Sequence, residues 1–352
     1  MIGSTPNRVL IVRVGAMGDV VHALPAVAAL RRALPECVID WAVEPRWGDL
    51  LVSPLEEAGP VVDEVVPVNV GAWKANGASL ATVRDVLGLR RWLRAGRFEV
   101  GADLQGSLRS GVIGWMAGAK ESWGSETPRE GPARWFYSRR VRTRAVHVVD
   151  QACEVLGAAV GLALTAEGPV PFPEDEAAEQ WCEAFLGDMP AARGYVVLAP
   201  TAGWGAKEWP VERFGELAGR LCDAGWTVLL NLHVTKTKPE VVEGSGGRAL
   251  AVHCSIAELT SLLRRASLFI GGDTGPLHLA DALGVPCVGL FGPTDPGRNG
   301  PYFGMKSGRA RVLRDASSVT SHSRVMETEV GLSRIGVDEV FLAATELLRG
   351  MP

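Results

Sequence analysis

Short, wholly apolar runs alternate along this chain with longer stretches whose apolar positions recur at helical spacing. Arg8 to Val14 (RVLIVRV) reads as a strand and Asp19 to Leu34 as an amphipathic helix. Val38 to Val43 and Glu64 to Val68 predict two more strands, and a helix near Leu80 to Arg94 precedes a strand at Val100 to Leu104. Strands alternating with helices imply parallel βαβ units and an open α/β sheet. The stretch GPVPFPEDE, Gly168 to Glu176, is rich in proline and acid and reads as a linker. The pattern then restarts, with strands at Tyr195 to Ala199, Thr227 to Asn231 and Leu268 to Ile270. Helices at Val211 to Ala224 and Ile256 to Arg265 lie between them. The expectation is an α/β protein of two similar Rossmann-like halves with a ligand cleft between them. The first domain spans 1–167, a linker and connecting helix 168–190, and the second domain 191–335. A last amphipathic helix, Val337 to Arg349 within 336–352, is expected to pack back toward the first domain.

The most informative run is Ser267 to Pro296, which reads as strand, glycine turn, helix, strand and second glycine turn. Gly271 and Gly272 let the backbone bend after the strand. Asp273 and Thr274 stand where a helix N-cap belongs, and Pro276 falls in the first helical turn. A helix start directly after a parallel strand offers backbone N–H groups and a positive dipole end to a phosphate. His278, four residues after Thr274, can face the same anion. A ligand-free strand-to-helix turn is the competing reading, and the polar side chains favour an anion site.

Two further turns carry chemistry. The first strand runs into Val14-Gly-Ala-Met-Gly-Asp19, where Gly15 and Gly18 permit close approach of a ligand. The dinucleotide fingerprint G-x-G-x-x-G is absent there. Asp19 is either a helix cap or a general base at the carboxyl edge of the sheet. His22 reads as a packed helix residue. After the strand ending at Ala199 comes Pro200-Thr-Ala-Gly-Trp-Gly-Ala-Lys207, whose lysine suits a diphosphate as a compact point charge, if it is not simply solvated.

Composition narrows the class. The 352 residues carry a formal net charge of −4 and are 47% apolar, which describes a globular protein and gives no basic excess for nucleic acid. No apolar stretch approaches the ~20 residues of a membrane span. The polar start, Met1 to Asn7, is no secretory signal, so a cytoplasmic protein is expected. Six scattered cysteines form no C-x-x-C pair and read as reduced thiols. Six histidines show no H-x-x-x-H pair, and no metal is expected.

Together, RVLIVRVGAMGDVVHALPAV, GGDTGPLHLA and FGPTDP resemble the ADP-heptose:lipopolysaccharide heptosyltransferases, glycosyltransferase family 9, and over the N-terminal half heptosyltransferase I in particular. Supporting stretches are Asp40 to Glu44, Asp103 to Gly106, Thr127 to Glu130, Trp135 to Tyr137 and His147 to Asp150. The resemblance implies a GT-B arrangement of two Rossmann-like domains and inverting, metal-independent transfer without a cofactor. The donor would be ADP-L-glycero-D-manno-heptose and the acceptor a lipid-linked Kdo. It makes Asp19 the base on the acceptor hydroxyl and Lys207 the group that neutralises the departing diphosphate. Thr201, Thr274, Gly275 and His278 would meet the donor phosphates, Asp273 the heptose, Cys254 the adenine through its backbone, and Glu240 the ribose. Gly18, Lys74, Gln105 and Arg129 fall where the family holds its acceptor.

Three positions depart from the family. Gly15 and Ala16 replace the serines of heptosyltransferase I. The basic loop is thinned to Gly71-Ala-Trp-Lys74. The segment after Asn231, Leu232 to Glu240, lacks the usual Trp-Gly that marks the ribose glutamate. The resemblance further implies a monomer in peripheral contact with the inner face of the cytoplasmic membrane. Arg134, Arg139, Arg140, Arg142 and Arg144 form either a surface patch for it or a solvated strand face. A nucleotide-sugar epimerase on the same fold stays open beside the transferase, as does another sugar donor or acceptor.

Overall fold

A computed structural model describes residues 5–53, 59–187, 189, 193–232, 237–321 and 326–350. The chain divides into two compact units, Met1–Pro173 and Glu174–Pro352, parting inside the proline-rich stretch. Each is built on one six-stranded, all-parallel sheet.

In the first unit the strands are β1 (Arg8–Val12), β2 (Val38–Val43), β3 (Glu64–Pro67), β4 (Val100–Asp103), β5 (Glu121–Ser125) and β6 (Arg139–Val141). They lie side by side in the order β3-β2-β1-β4-β5-β6. Val9, Leu10, Ile11 and Val12 are all fully buried, as expected of a central parallel strand covered on both faces. Side chains alternate across the sheet, so Leu10 and Val12 share one core with Leu89 and Leu93 of α3 (Leu80–Ala95) and Ile113 and Met116 of α4 (Leu108–Ala117). On the other face α1 (Met17–Ala33) packs beside α5 (Val148–Val160). The short α2 (Val70–Asn76) precedes α3. Ser79 starts α3 by accepting a hydrogen bond from the Thr82 N–H at 3.2 Å, and Ser107 does the same for α4 through Ser110.

The second unit repeats the plan. Its strands are β7 (Tyr195–Ala199), β8 (Thr227–Asn231), β9 (Leu250–Val252), β10 (Leu268–Gly272), β11 (Cys287–Leu290) and β12 (Ala310–Leu313), ordered β12-β11-β10-β7-β8-β9. α6 (Glu176–Gly187) packs on α9 (Ile256–Arg264), while α7 (Val211–Asp223) covers α8 (Pro239–Gly244). α10 (Gly275–Ala282) follows β10. The closing helix, Val337–Arg349, sinks Val340 and Ala344 into this unit's own core, against α7 and the second sheet.

Both sheets reverse their lateral order at one place, between β1 and β4 and between β7 and β10. In open α/β sheets such a reversal leaves a crevice at the carboxyl ends of the two strands, where ligands bind. Gly271 and Gly272 prove to be strand residues of β10 and not a bend: Gly271 pairs with Ala199 and with Gly289. What they supply is close approach, because a Cβ on Gly272 would lie 2.7 Å from the Lys207 carbonyl.

Candidate active site

The candidate residues of the first unit all follow carboxyl ends of its strands: Gly18 and Asp19 after β1, Lys74 after β3, Gln105 after β4 and Arg129 after β5. Asp19 is the third residue of α1. One of its carboxylate oxygens accepts the Ala16 N–H at 3.1 Å, which ties off the helix start. The other accepts from Arg13 Nη2 at 2.8 Å. The cap and an available carboxylate are thus combined, since the side chain keeps 34% of its surface exposed. Arg13 also donates to the carbonyls of Asp19 and Leu104, so it sews the β1 turn to the β4 turn. Gln105 makes a second stitch, its Oε1 accepting from the Val14 N–H at 2.8 Å.

Beneath these turns lies Asp103, buried at the end of β4. It accepts from the N–H groups of Gln105 (2.8 Å) and Gly106 (3.0 Å), from Ser110 Oγ (2.8 Å) and from Tyr137 Oη (2.6 Å). Burial pushes its carboxyl above the ordinary value, against the pull of those four donors. Gly106 has φ +67°, and a Cβ there would sit 3.0 Å from the Arg129 N, so glycine seats the Arg129 loop on the β4 turn. Tyr137→Phe removes one donor from a buried carboxylate. It is expected to lower unfolding stability by about 1–3 kcal/mol, read from the urea midpoint; an unchanged midpoint would show that the network does not need the hydroxyl.

Two residues of this region escaped the sequence reading. Arg13 stands as the charge that interrupts the apolar run Val9 to Val14. Glu44, after β2, stands between two of the expected loops: a Cβ on Gly71 would lie 3.2 Å from its Oε1, and one on Gly15 would lie 3.9 Å from its Oε2. Gly15 (φ +153°) makes its close approach to protein, with a Cβ 2.8 Å from Trp47 Nε1. Lys74 and Arg129 are exposed side chains. His22 is buried in α1, its ring edge-on to His147 at 5.6 Å.

In the second unit the candidates again follow neighbouring strand ends: Thr201 and Lys207 after β7, Glu240 after β8, Cys254 after β9, and Asp273 to His278 after β10. Three of them meet. Lys207 Nζ donates to Asp273 Oδ2 at 2.5 Å and to the Asp273 carbonyl at 3.1 Å, and His278 Nε2 lies 2.9 Å from Asp273 Oδ1. Lys207 is no solvated surface lysine: its side chain is 16% exposed and lies over the Trp204 ring, 4.9 Å from its centroid. Nor does Asp273 cap the helix, since both its oxygens are engaged by the lysine and the histidine. Thr274 occupies the N-cap position of α10 without capping it by its side chain, its hydroxyl donating to the Gly272 carbonyl at 3.3 Å. Pro276 brings no N–H to this turn.

Burial alone would raise the Asp273 carboxyl. The hydrogen bond and charge of His278, with the Lys207 ammonium, outweigh it and hold the group well below the usual carboxylate range. A carboxyl depressed in the fold stabilises it above the unfolded chain's value and loses that contribution as pH falls through the ordinary carboxylate range and below. Asp273→Asn is therefore expected to melt below the wild type at neutral pH. It should also show a shallower loss of stability below about pH 4. Parallel melting curves for the two proteins across that range would sink the assignment.

Glu240 is exposed on α8 and Cys254 half-buried beyond β9; neither joins the lysine cluster through a side-chain bond. Burial pushes the Cys254 thiol up to about 12, which keeps it a neutral thiol. Of the segment after Asn231, residues 233–236 lie outside the described residues. Glu208, which the sequence reading passed over, accepts from the Ala202 N–H at 3.0 Å and from Lys238 Nζ at 3.2 Å, joining the Thr201 loop to the start of α8. Among the described residues no group of three or more His, Cys, Asp or Glu side chains is arranged to hold a metal ion. No helix among them is long and apolar enough to cross a membrane.

A family model for glycosyltransferase family 9 (heptosyltransferase) matches residues 86–322, about two thirds of the chain. The chain belongs to glycosyltransferase family 9. Among curated relatives it is similar to lipopolysaccharide heptosyltransferase 1 of Pseudomonas aeruginosa, 29% identical over 87% of this chain and 82% of that protein. The same enzyme of Escherichia coli K12 is 29% identical over 84% of this chain and 91% of its own length. The structure resembles that of E. coli heptosyltransferase WaaC with ADP, with a TM-score of 0.75 and 26% identity over 97% of this chain and 99% of WaaC. The family 9 glycosyltransferase of Veillonella parvula shares the fold, with a TM-score of 0.81 at 22% identity over 98% of each chain. The two parallel six-stranded sheets are thus those of a GT-B glycosyltransferase, as the sequence motifs implied. Family membership also favours the transferase over the epimerase.

Proposed function

We propose that this glycosyltransferase moves heptose from ADP-L-glycero-D-manno-heptose to the Kdo of a lipid A-type acceptor, inverting the anomeric carbon without a metal. It would act in lipopolysaccharide inner-core synthesis at the inner face of the cytoplasmic membrane. The observation that carries the reading is the Lys207–Asp273–His278 cluster at the order reversal of the second sheet. An ammonium has three donors, and Asp273 uses two of those on Lys207, so one remains for a donor phosphate. The start of α10 beside it adds backbone N–H groups and a positive dipole end. WaaC, similar over nearly the whole chain, has been crystallised with ADP and with ADP-2-deoxy-2-fluoro heptose, which supports an ADP-sugar as donor here.

In this reading the second unit holds the donor and the first supplies the base. Thr201, Thr274, Gly275 and His278 line the diphosphate, Asp273 meets the sugar, Cys254 the adenine and Glu240 the ribose. Gly18, Lys74, Gln105 and Arg129 hold the acceptor. The acceptor oxygen attacks the anomeric carbon as the bond to the ADP oxygen breaks, and the hydroxyl proton passes to the Asp19 carboxylate. Charge gathers on the leaving diphosphate, where Lys207 and fixed N–H groups offset it. ADP release from ADP-heptose, measured with and without deacylated Kdo-lipid A, tests the whole. Release that depends on acceptor is expected. Release without any acceptor, or none at all despite ADP binding, would overturn the choice of sugar and acceptor.

A further inference from the structure

Nine large apolar side chains of the first unit are exposed among the described residues, and six of them belong to α3, α4 and the 3-10 turn that packs on α4. Leu80, Val83 and Leu87 sit at i, i+3 and i+7 of α3, one stripe opposite the buried Leu89 and Leu93. Leu80 is 89% exposed. On α4, Leu108 and Trp115 are seven residues apart and so share a face; Trp115 is 55% exposed and edge-on to Phe136 at 6.5 Å. Trp135, on the 3-10 turn Gly131–Phe136 that packs on α4, is 71% exposed.

The charge of this layer runs against that of the molecule. α3, α4 and the 3-10 turn contain Arg84, Arg90, Arg91, Arg94, Arg109 and Arg134 and a single acid, Asp85, a local excess of five positive charges (six less one). The whole chain carries −4. Asp85 is itself engaged by the Trp73 indole N–H at 2.6 Å. A soluble face gains nothing from exposing leucines and tryptophans among arginines. A helix with an apolar stripe flanked by arginine, beside exposed tryptophan, instead matches the headgroup zone of a bilayer. There the indole and leucine enter the acyl boundary and arginines meet lipid phosphates.

We propose that the outer face of the α3–α4 layer docks this enzyme on an anionic phospholipid surface. The inference rests on the proposed lipid-linked acceptor, to which it adds a place of attachment distinct from the residues proposed to hold the acceptor sugar. The juxtaposition of an apolar and aromatic stripe with an arginine excess selects a lipid surface over a second copy of the chain, because two such faces would repel one another.

The test is flotation of the purified full chain with phosphatidylcholine vesicles, alone or containing phosphatidylglycerol. The wild type is expected to float only with the anionic vesicles. Arg84→Glu with Arg91→Glu, and separately Leu80→Ser with Trp135→Ser, are expected to weaken that binding by roughly tenfold or more, all four side chains being exposed. Both variants should keep wild-type kcat/KM on deacylated Kdo-lipid A and lose it on Kdo-lipid A embedded in anionic vesicles. Wild type that ignores anionic vesicles, or variants that float as well as wild type, would overturn the docking face and leave the transferase reading standing. Floating wild type that transfers to neither acceptor would do the reverse. A mass that rises with concentration in the wild type but not in the variants would make this face a self-association surface and also overturn the proposal.

Discussion

Asp19→Asn is expected to bind ADP-heptose as the wild type does and to turn over at about one thousandth of its rate, near the middle of the range for loss of a general base. The asparagine is the informative variant. Its amide oxygen can still accept from the Ala16 N–H, so the start of α1 is held, while its NH2 then faces Arg13 Nη2 donor to donor and it cannot take a proton at neutral pH. Asp19→Ala should abolish turnover too. It also removes the acceptor of the Ala16 N–H, so part of its effect is loosening of the helix start, while Arg13 stays tied to the carbonyls of Leu104 and Asp19 in either variant. Calorimetric titration with ADP and steady-state rates on the deacylated acceptor separate the two. Turnover of the asparagine variant within a few-fold of wild type would remove Asp19 from the base role.

Lys207→Ala is expected to weaken ADP binding and to lower kcat/KM by ~10²–10³, because the charge it offsets is present in the bound diphosphate and grows as the sugar leaves. The change has a second arm. Asp273 is 7% exposed and would keep His278 but lose its ammonium, so a lower melting temperature should accompany the kinetic loss. Lys207→Arg is not a neutral control: its planar fork cannot reproduce a point charge seated between the Asp273 carboxylate and carbonyl over the Trp204 ring. Unchanged binding and unchanged kinetics in the alanine variant would refute the diphosphate role, whatever happens to stability.

The strands that sequence pattern located best are the buried central ones. Val38–Val43, Tyr195–Ala199 and Thr227–Asn231 have the expected bounds, since a parallel strand buried on both faces is written largely in apolar residues. The edge strand β6 and its neighbour β5 carry no such obligation. ESWGS of β5 and RRV of β6 have no apolar run to mark them, and their strand character comes from pairing: Trp123 to Arg139, and Gly124 to Asp103 and Arg140. α2 was hidden for a related reason, being one short turn-rich helix with Gly71 inside it and a single buried residue, Val70.

The residue types of the candidate site were legible because each stands at a strand-to-helix turn, a local feature written in neighbouring residues. Asp19, Lys207, Asp273 and His278 could all be named from such turns. Their partnerships could not. Lys207 and Asp273 are 66 residues apart, and they meet only because β7 and β10, where the sheet order reverses, lie side by side with Ala199 opposite Gly271. Arg13 reaches the Leu104 carbonyl for the same reason on the other sheet, where β1 pairs with β4. Local sequence thus determined two runs of βαβ units and the chemistry at their turns, through side-chain period and backbone preference. Strand order, and with it which carboxylate holds which cation, was decided only when the sheets assembled, because pairing between strands is a contest among distant segments settled by the burial of the whole layer.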